Sequence, residues 1–142
     1  MLNIREPASV LLLTGNGGEK MESWPVSAVG PHGLDFDVAG GKAFVACDGA
    51  TVVTLDLNTG QEVGTTPITG EPDVAWFNPA RNRLYVAIGN PGLVEVIDTR
   101  FLAQIEKLTT EEGAHTTAFD RTRQRLYAFL PRSCRAALYD EA

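Results

Sequence analysis

Phe36, Phe77 and Phe119 lie 41 and 42 residues apart, and sliding the chain along itself by that interval brings most of the sequence into line. A period of this length outranks every other signal, because each copy is then one supersecondary unit that buries its faces only by stacking on the next. After each Phe comes a polar turn, "DVAGGK", "NPARNR" or "DRTRQR", opened by Asp37, Asn78 or Asp120, whose side chains can bond the backbone two residues on. An apolar strand follows each turn: "AFVAC", "LYVAI" and "LYAFL". The next strands, "TVVTLD", "LVEVID" and "RAALYD", alternate in period two and end at Asp56, Asp98 and Asp140. A weaker fourth strand comes last, "QEVGTTPI" at 61–68 and "AQIEKLTT" at 103–110.

Four short strands in about 42 residues, without a helical period, make up the blade of a β-propeller. With strands lettered A to D from the axis outward, residues 1–29 supply B, C and D of a partial blade. Two full blades occupy 30–70 and 71–112, and 113–142 supplies A, B and C of a last partial blade. The N-terminal segment obeys the same register without a gap, Ile4 falling over Ile88, Pro7 over Pro91 and Leu13 over Ile97. The fold expected is all-β: a single partial propeller domain over 1–142, with about three and a half four-stranded blades.

An arc of this kind leaves an apolar face bare at each end, together with unpaired strand edges. Two outcomes are expected. Either copies associate as a homo-oligomer, with a dimer closing a propeller ring, or the sequence is part of a chain about twice as long. Seven shared blades and eight blades, some three-stranded, both fit the strand arithmetic of a dimer.

Composition narrows the partners. Eighteen acidic against twelve basic residues give a formal net charge of -6, which disfavours nucleic acid and anionic membranes. The apolar run Val10–Leu13 is too short for a signal peptide or membrane span, so the chain as written is expected to stay in the cytoplasm. Cys47 and Cys134 match no metal or redox spacing and read as packing or turn residues.

The segments "GPHGLDFDVAGGKAFVACDGATVVTLDLNTGQEV", "FNPARNRLYVAIGNPGLVEVIDT" and "GAHTTAFDRTRQRLYAFLPRSCRAALYD" resemble YVTN/YncE-like β-propeller repeats across nearly the whole chain. They are related more loosely to NHL and lactonase-type propellers. The resemblance implies a propeller, and functions that range from binding scaffold and surface-layer part to metal-dependent enzyme. Members of that family are usually about twice this length and often exported, and the final "YAFLPRSCRAALYDEA" is similar to a family C-terminus.

His32, Asp73 and His115 share one repeat position just before strand A, so rotation from blade to blade places them around one mouth of the central channel. Two imidazoles and a carboxylate facing one axis suit a divalent metal ion such as zinc or manganese, able to polarise a carbonyl or activate water. The competing reading makes each a turn residue, bonded to backbone among Gly30, Pro31, Gly70, Pro72 and Gly113.

Other candidates carry less. Asp56, Asp98 and Asp140 recur in every blade, which fits structural turn acceptors. Trp24 and Trp76 offer a recognition surface, although Trp76 beside Phe77 reads as core or channel lining. Arg81, Arg83, Arg121, Arg123 and Arg125 fall in A–B turns on the rim. Ser133 lacks a nearby His and a nucleophile elbow, and the "GNGG" at 15–18 lacks the following helix that a phosphate loop needs. The function expected is a binding or assembly scaffold for a small-molecule or protein ligand, with no catalytic residue or cofactor assigned. The alternative is a metal-dependent lyase or lactone hydrolase acting at the channel mouth.

Overall fold

The computed structural model describes residues 1–15 and 20–141, and these form four consecutive antiparallel sheets without a helix. The first holds β1 (Leu2–Ile4), β2 (Ser9–Thr14) and β3 (Lys20–Pro25), in that order. The second is a four-stranded meander of β4 (Pro31–Asp37), β5 (Lys42–Cys47), β6 (Thr51–Asp56) and β7 (Glu62–Pro67). The third repeats it with β8 (Pro72–Asn78), β9 (Arg83–Ile88), β10 (Leu93–Asp98) and β11 (Ala103–Thr109). The last has β12 (Thr117–Asp120), β13 (Arg125–Leu130) and β14 (Arg135–Asp140). The "GNGG" stretch lies mostly outside the described residues. Among the described residues no helix is long and apolar enough to cross a membrane.

Turn chemistry sets the strand boundaries. In the A–B turns Asp37 Oδ1 accepts from Gly40 N at 2.8 Å, Asn78 Oδ1 from Ala80 N at 3.0 Å, and Asp120 Oδ1 from Thr122 N and Arg123 N at 2.9 Å. Each of these turns then uses one left-handed residue at the same repeat position: Gly41 (φ 66), Asn82 (φ 53) and Gln124 (φ 52). Strand C ends as the recurrent acids require, with Asp56 Oδ1 accepting from Asn58 N at 2.8 Å and Asp98 Oδ1 from Arg100 N at 2.9 Å. Asp140 instead pairs across the ladder with Arg125, Nη2 to Oδ2 at 3.1 Å.

The core lies between sheets, as three separate clusters. Val10, Trp24, Val45, Val53 and Leu55 fill the first junction. Phe44, Ala46, Val52, Phe77, Leu84, Val86 and Ile88 fill the second, and Tyr85, Val94, Val96 and Leu126 the third. Alternate residues of one strand therefore face opposite neighbours: Leu84, Val86 and Ile88 point back towards the second sheet, while Tyr85 points on to the fourth. Both faces of an interior blade are buried, so β5 and β9 are shielded along nearly their whole length.

Carboxylates clip each junction at its periphery. Ser27 gives both its amide and its hydroxyl to Glu62, at 2.6 and 2.8 Å. Its repeat equivalent Thr69 does the same to Glu95, a fully buried carboxylate that also meets Lys107 Nζ at 3.0 Å. Glu111 Oε2 closes the third junction by accepting from Arg132 N and Ser133 N at 2.8 and 3.0 Å. A charge buried at a seam is tolerated only when donors surround it, and Glu95 has them.

Candidate functional site at the axis mouth

The innermost strands β4, β8 and β12 begin at one end of the arc, where antiparallel pairing also brings the ends of β5 and β9. Two irregularities turn side chains into that end. In the ladder of β4 with β5, Pro31 pairs Cys47 and Gly33 pairs Ala46, so His32 is the extra residue of a bulge. In the ladder of β8 with β9, Pro72 pairs Ile88 and Ala75 pairs Val86, so Asp73 and Val74 oppose Ala87 alone. Bulges re-aim side chains in this way. His32 and Asp73 are thus the second residues of β4 and β8 rather than residues of a preceding turn, whereas His115 does precede its strand, by two positions.

These three side chains meet. Asp73 Oδ2 accepts from His115 Nδ1, and Asp73 Oδ1 lies 3.5 Å from His32 Nε2. The other ring nitrogen of His32, Nδ1, lies 3.5 Å from Asp48 Oδ1, and Asp48 Oδ2 accepts from the Arg5 guanidinium. The result is a chain of alternating basic and acidic side chains, Arg5, Asp48, His32, Asp73 and His115, drawn from all four sheets. It lines a cavity of about 300 Å³ together with Glu71 and the backbone of Gly89 and Gly113. With His115 Nδ1–H donating to Asp73, the lone pair of that tautomer lies on Nε2.

Asp48 and Arg5 are absent from the sequence-based expectation, although a signal exists. Both follow strand B directly, Arg5 after Ile4 and Asp48 after Cys47, and antiparallel pairing puts that position beside the start of strand A. Asp73 uses both carboxylate oxygens on imidazoles. Among the described residues no group of three or more His, Cys, Asp or Glu side chains is disposed to hold a metal ion.

The remaining sequence candidates fall elsewhere. Trp24 is buried, its ring pressed on Gly60 so closely that a Cβ there would lie 2.5 Å from it; it forms no recognition surface. Trp76 lies at the third junction, its Nε1 donating to Thr117 O and Oγ1 at 3.2 Å. Of the rim arginines, Arg123 pairs with Asp120 of its own turn, whereas Arg83 reaches Glu141 of the last sheet. A larger cavity of about 520 Å³ opens between the outer strands of the last two sheets, beside β14. Within it Glu141 accepts from both Arg83 and Tyr85. Burial, and then Glu141, push the Tyr85 phenol up.

Successive antiparallel meanders, each stacked face to face on the next with its first strand innermost, decide the architecture. The chain has a β-propeller fold. No protein-family model matches it, and no curated protein does. Among solved structures, hydrazine synthase of Kuenenia stuttgartiensis is similar, with a TM-score of 0.67 and 18% identity. The likeness covers 74% of this chain and 30% of that one, and at such identity it shows a shared fold alone.

Proposed function

We propose that this propeller is a binding scaffold of the YVTN/YncE-like kind, whose ligand-binding end is the axis mouth. The "LYVAI" and "LVEVID" strands and the Asp or Asn turns support the family reading. The observation that carries the binding reading is the mouth itself. Side chains from four sheets converge there on one open cavity, and their chain of polar contacts lies outside the apolar junctions that hold the fold. Three carboxylates, Asp48, Glu71 and Asp73, face one guanidinium and two imidazoles, which favours a small cationic or hydrogen-bond-donating ligand.

The chain has only two histidines, so ring-proton NMR reads this site without overlap. The probes are zinc, manganese, a primary ammonium ion and a small carboxylate, each titrated into the wild-type protein, His32→Ala and His115→Ala. Saturable shifts of both rings with one probe, lost in either variant while the fold persists, support the reading. Unmoved imidazoles with all four probes overturn it. Saturation by zinc or manganese would make His115 Nε2 a metal ligand, the first requirement of metal-dependent lyase or hydrolase chemistry at this mouth.

A further inference from the structure

Val38 and Phe101 are exposed in turns and Met21, Val63 and Ile105 on outermost strands, but four further exposed apolar residues, Leu2, Leu13, Phe129 and Leu138, occupy positions that the repeat assigns to a junction between blades. On the last sheet Phe129 is 48% exposed and Leu138 52%, with Ala136 beside them and Tyr127 half-buried. In the repeat frame Tyr127 falls on Phe44 and Tyr85, and Phe129 on Ala46. Those equivalents point towards the following sheet and are buried there. At the other end Leu2 is 51% exposed and Leu13 40%, with Ile4 half-buried. Leu2, Ile4 and Leu13 fall on Val86, Ile88 and Ile97, which point towards the preceding sheet and are buried against it. The chain therefore carries both halves of one more junction of the kind it already makes three times.

We infer that a second copy of this chain covers these faces, the Phe129 and Leu138 face of each copy docking on the Leu2 and Leu13 face of the other to close one ring. Three arguments select this occupant and this stoichiometry. The two faces are the two different halves of a junction, because the equivalents of Tyr127 and Phe129 point forward along the arc and those of Leu2, Ile4 and Leu13 point backward. Contact is therefore head to tail, and with two copies both junctions are equivalent about the channel axis. The four sheets of one chain do not close on themselves, as the bare faces show. Propellers close with roughly four to eight blades, so two copies of a four-sheet chain reach eight while three would overshoot.

Closure would complete the site as well. The mouth of a single arc is open along one side, whereas in the ring His32, Asp73 and His115 of each copy would face those of the other across the channel. This inference rests on the fold and not on ligand binding at the mouth, and the variants that test it leave both histidines in place.

Sedimentation equilibrium of the full chain supplies the test. The wild type is expected at twice 15.3 kDa. Replacing one well-packed apolar anchor by a charge should weaken association about 30-fold or more. Phe129→Asp, Leu138→Asp and Leu13→Asp should thus each shift the equilibrium to monomer, with far-ultraviolet circular dichroism unchanged because all three side chains are exposed. Mixing Leu138→Asp with Leu13→Asp should restore a dimer through the one junction left intact in that pair. A monomeric wild type across the micromolar range overturns the inference and points to cover from elsewhere, such as further blades of a longer chain. Open-ended polymers overturn closure at two copies. A dimer that these variants leave intact, or that mixing fails to rescue, overturns the head-to-tail contact.

Discussion

Asp35, on the innermost strand of the second sheet, accepts a hydrogen bond from the Phe77 amide of the third at 2.5 Å. The same carboxylate caps its own neighbour, Phe36 N, at 2.8 Å and lies 3.7 Å from Arg121 of the fourth sheet. One half-buried acid therefore fastens three blades near the axis, where strands of different sheets cannot form a ladder. Apolar packing alone would leave the Phe77 N–H without an acceptor.

Asp35→Ala is expected to destabilise the fold by about 1.5–3 kcal/mol, the range for a hydrogen bond to a charged group whose removal strands a donor. In a chain of this length that corresponds to a fall of roughly 5–10 °C in thermal midpoint. Asp35→Asn keeps an acceptor and should recover about half of the loss. Differential scanning calorimetry of the three proteins checks this, and equal midpoints for Asp35→Ala and the wild type would remove Asp35 from the account.

Gly33 tests how closely two innermost strands approach. A Cβ there would lie 2.7 Å from the Asp73 carbonyl oxygen and 3.2 Å from Ala75 N, both backbone atoms that cannot swing aside. Gly33→Ala should cost about 1–3 kcal/mol by forcing the second and third sheets apart. Because the strand displaced carries Asp73, the His115 ring signals should move too. The same substitution at Gly41, in the open A–B turn, should leave those signals in place. A His115 spectrum indifferent to Gly33→Ala would mean that the strands part elsewhere.

Acid stability should be set by the turn carboxylates. The Arg100 side chain, whose guanidinium holds the Asp98 carboxyl, lowers its pKa from 3.8 to about 2, with the Arg100 amide helping. Backbone amides lower Asp56, the Arg123 amide and side chain lower Asp120, and the Arg125 side chain lowers Asp140. A carboxyl depressed in the folded state stabilises it above the unfolded pKa, near 3.9, and loses that contribution as pH falls through the folded value. Stability should therefore hold above pH 4 and decline between about pH 4 and pH 2. Asp98→Asn should flatten that decline while lowering stability at neutral pH; urea midpoints measured along the pH series would show an unchanged slope if Asp98 plays no such part.

The fold was legible because the period and the turn acids are local signals, and Asp37, Asn78 and Asp120 bond in the structure as their positions in sequence imply. The shared position of His32, Asp73 and His115 was legible for the same reason. What sequence reasoning missed depends on contacts between sheets. Asp48 and Arg5 pair across a blade boundary. The bulges that turn His32 and Asp73 into the mouth leave no mark in an alternating pattern. In "LVEVID" the polar Glu95 looks like the solvated side of a strand. Both sides of a blade are covered, however, and Glu95 is buried beneath Thr69. Trp24 failed as a surface residue for a similar reason, since Gly60 of the next sheet leaves room for its ring.

The two cysteines should separate cleanly by reactivity. Both are free thiols, Cys47 buried at the end of β5 and Cys134 exposed in the turn before β14. Burial, followed by the negative charges of Asp48 and Glu62, pushes the Cys47 thiol up to about 12, so almost none of it is thiolate at pH 8. A disulfide reagent at that pH should modify one thiol per native chain within minutes and the second only as the fold opens, since the thiolate is the attacking species. Cys134→Ser should abolish the fast phase, and Cys47→Ser the slow one. In the wild type the slow rate should track the population of opened protein, rising with urea well below the unfolding midpoint. Two fast thiols in the native protein would show that the first junction, where Cys47 packs against Val10 and Trp24, is not closed as described.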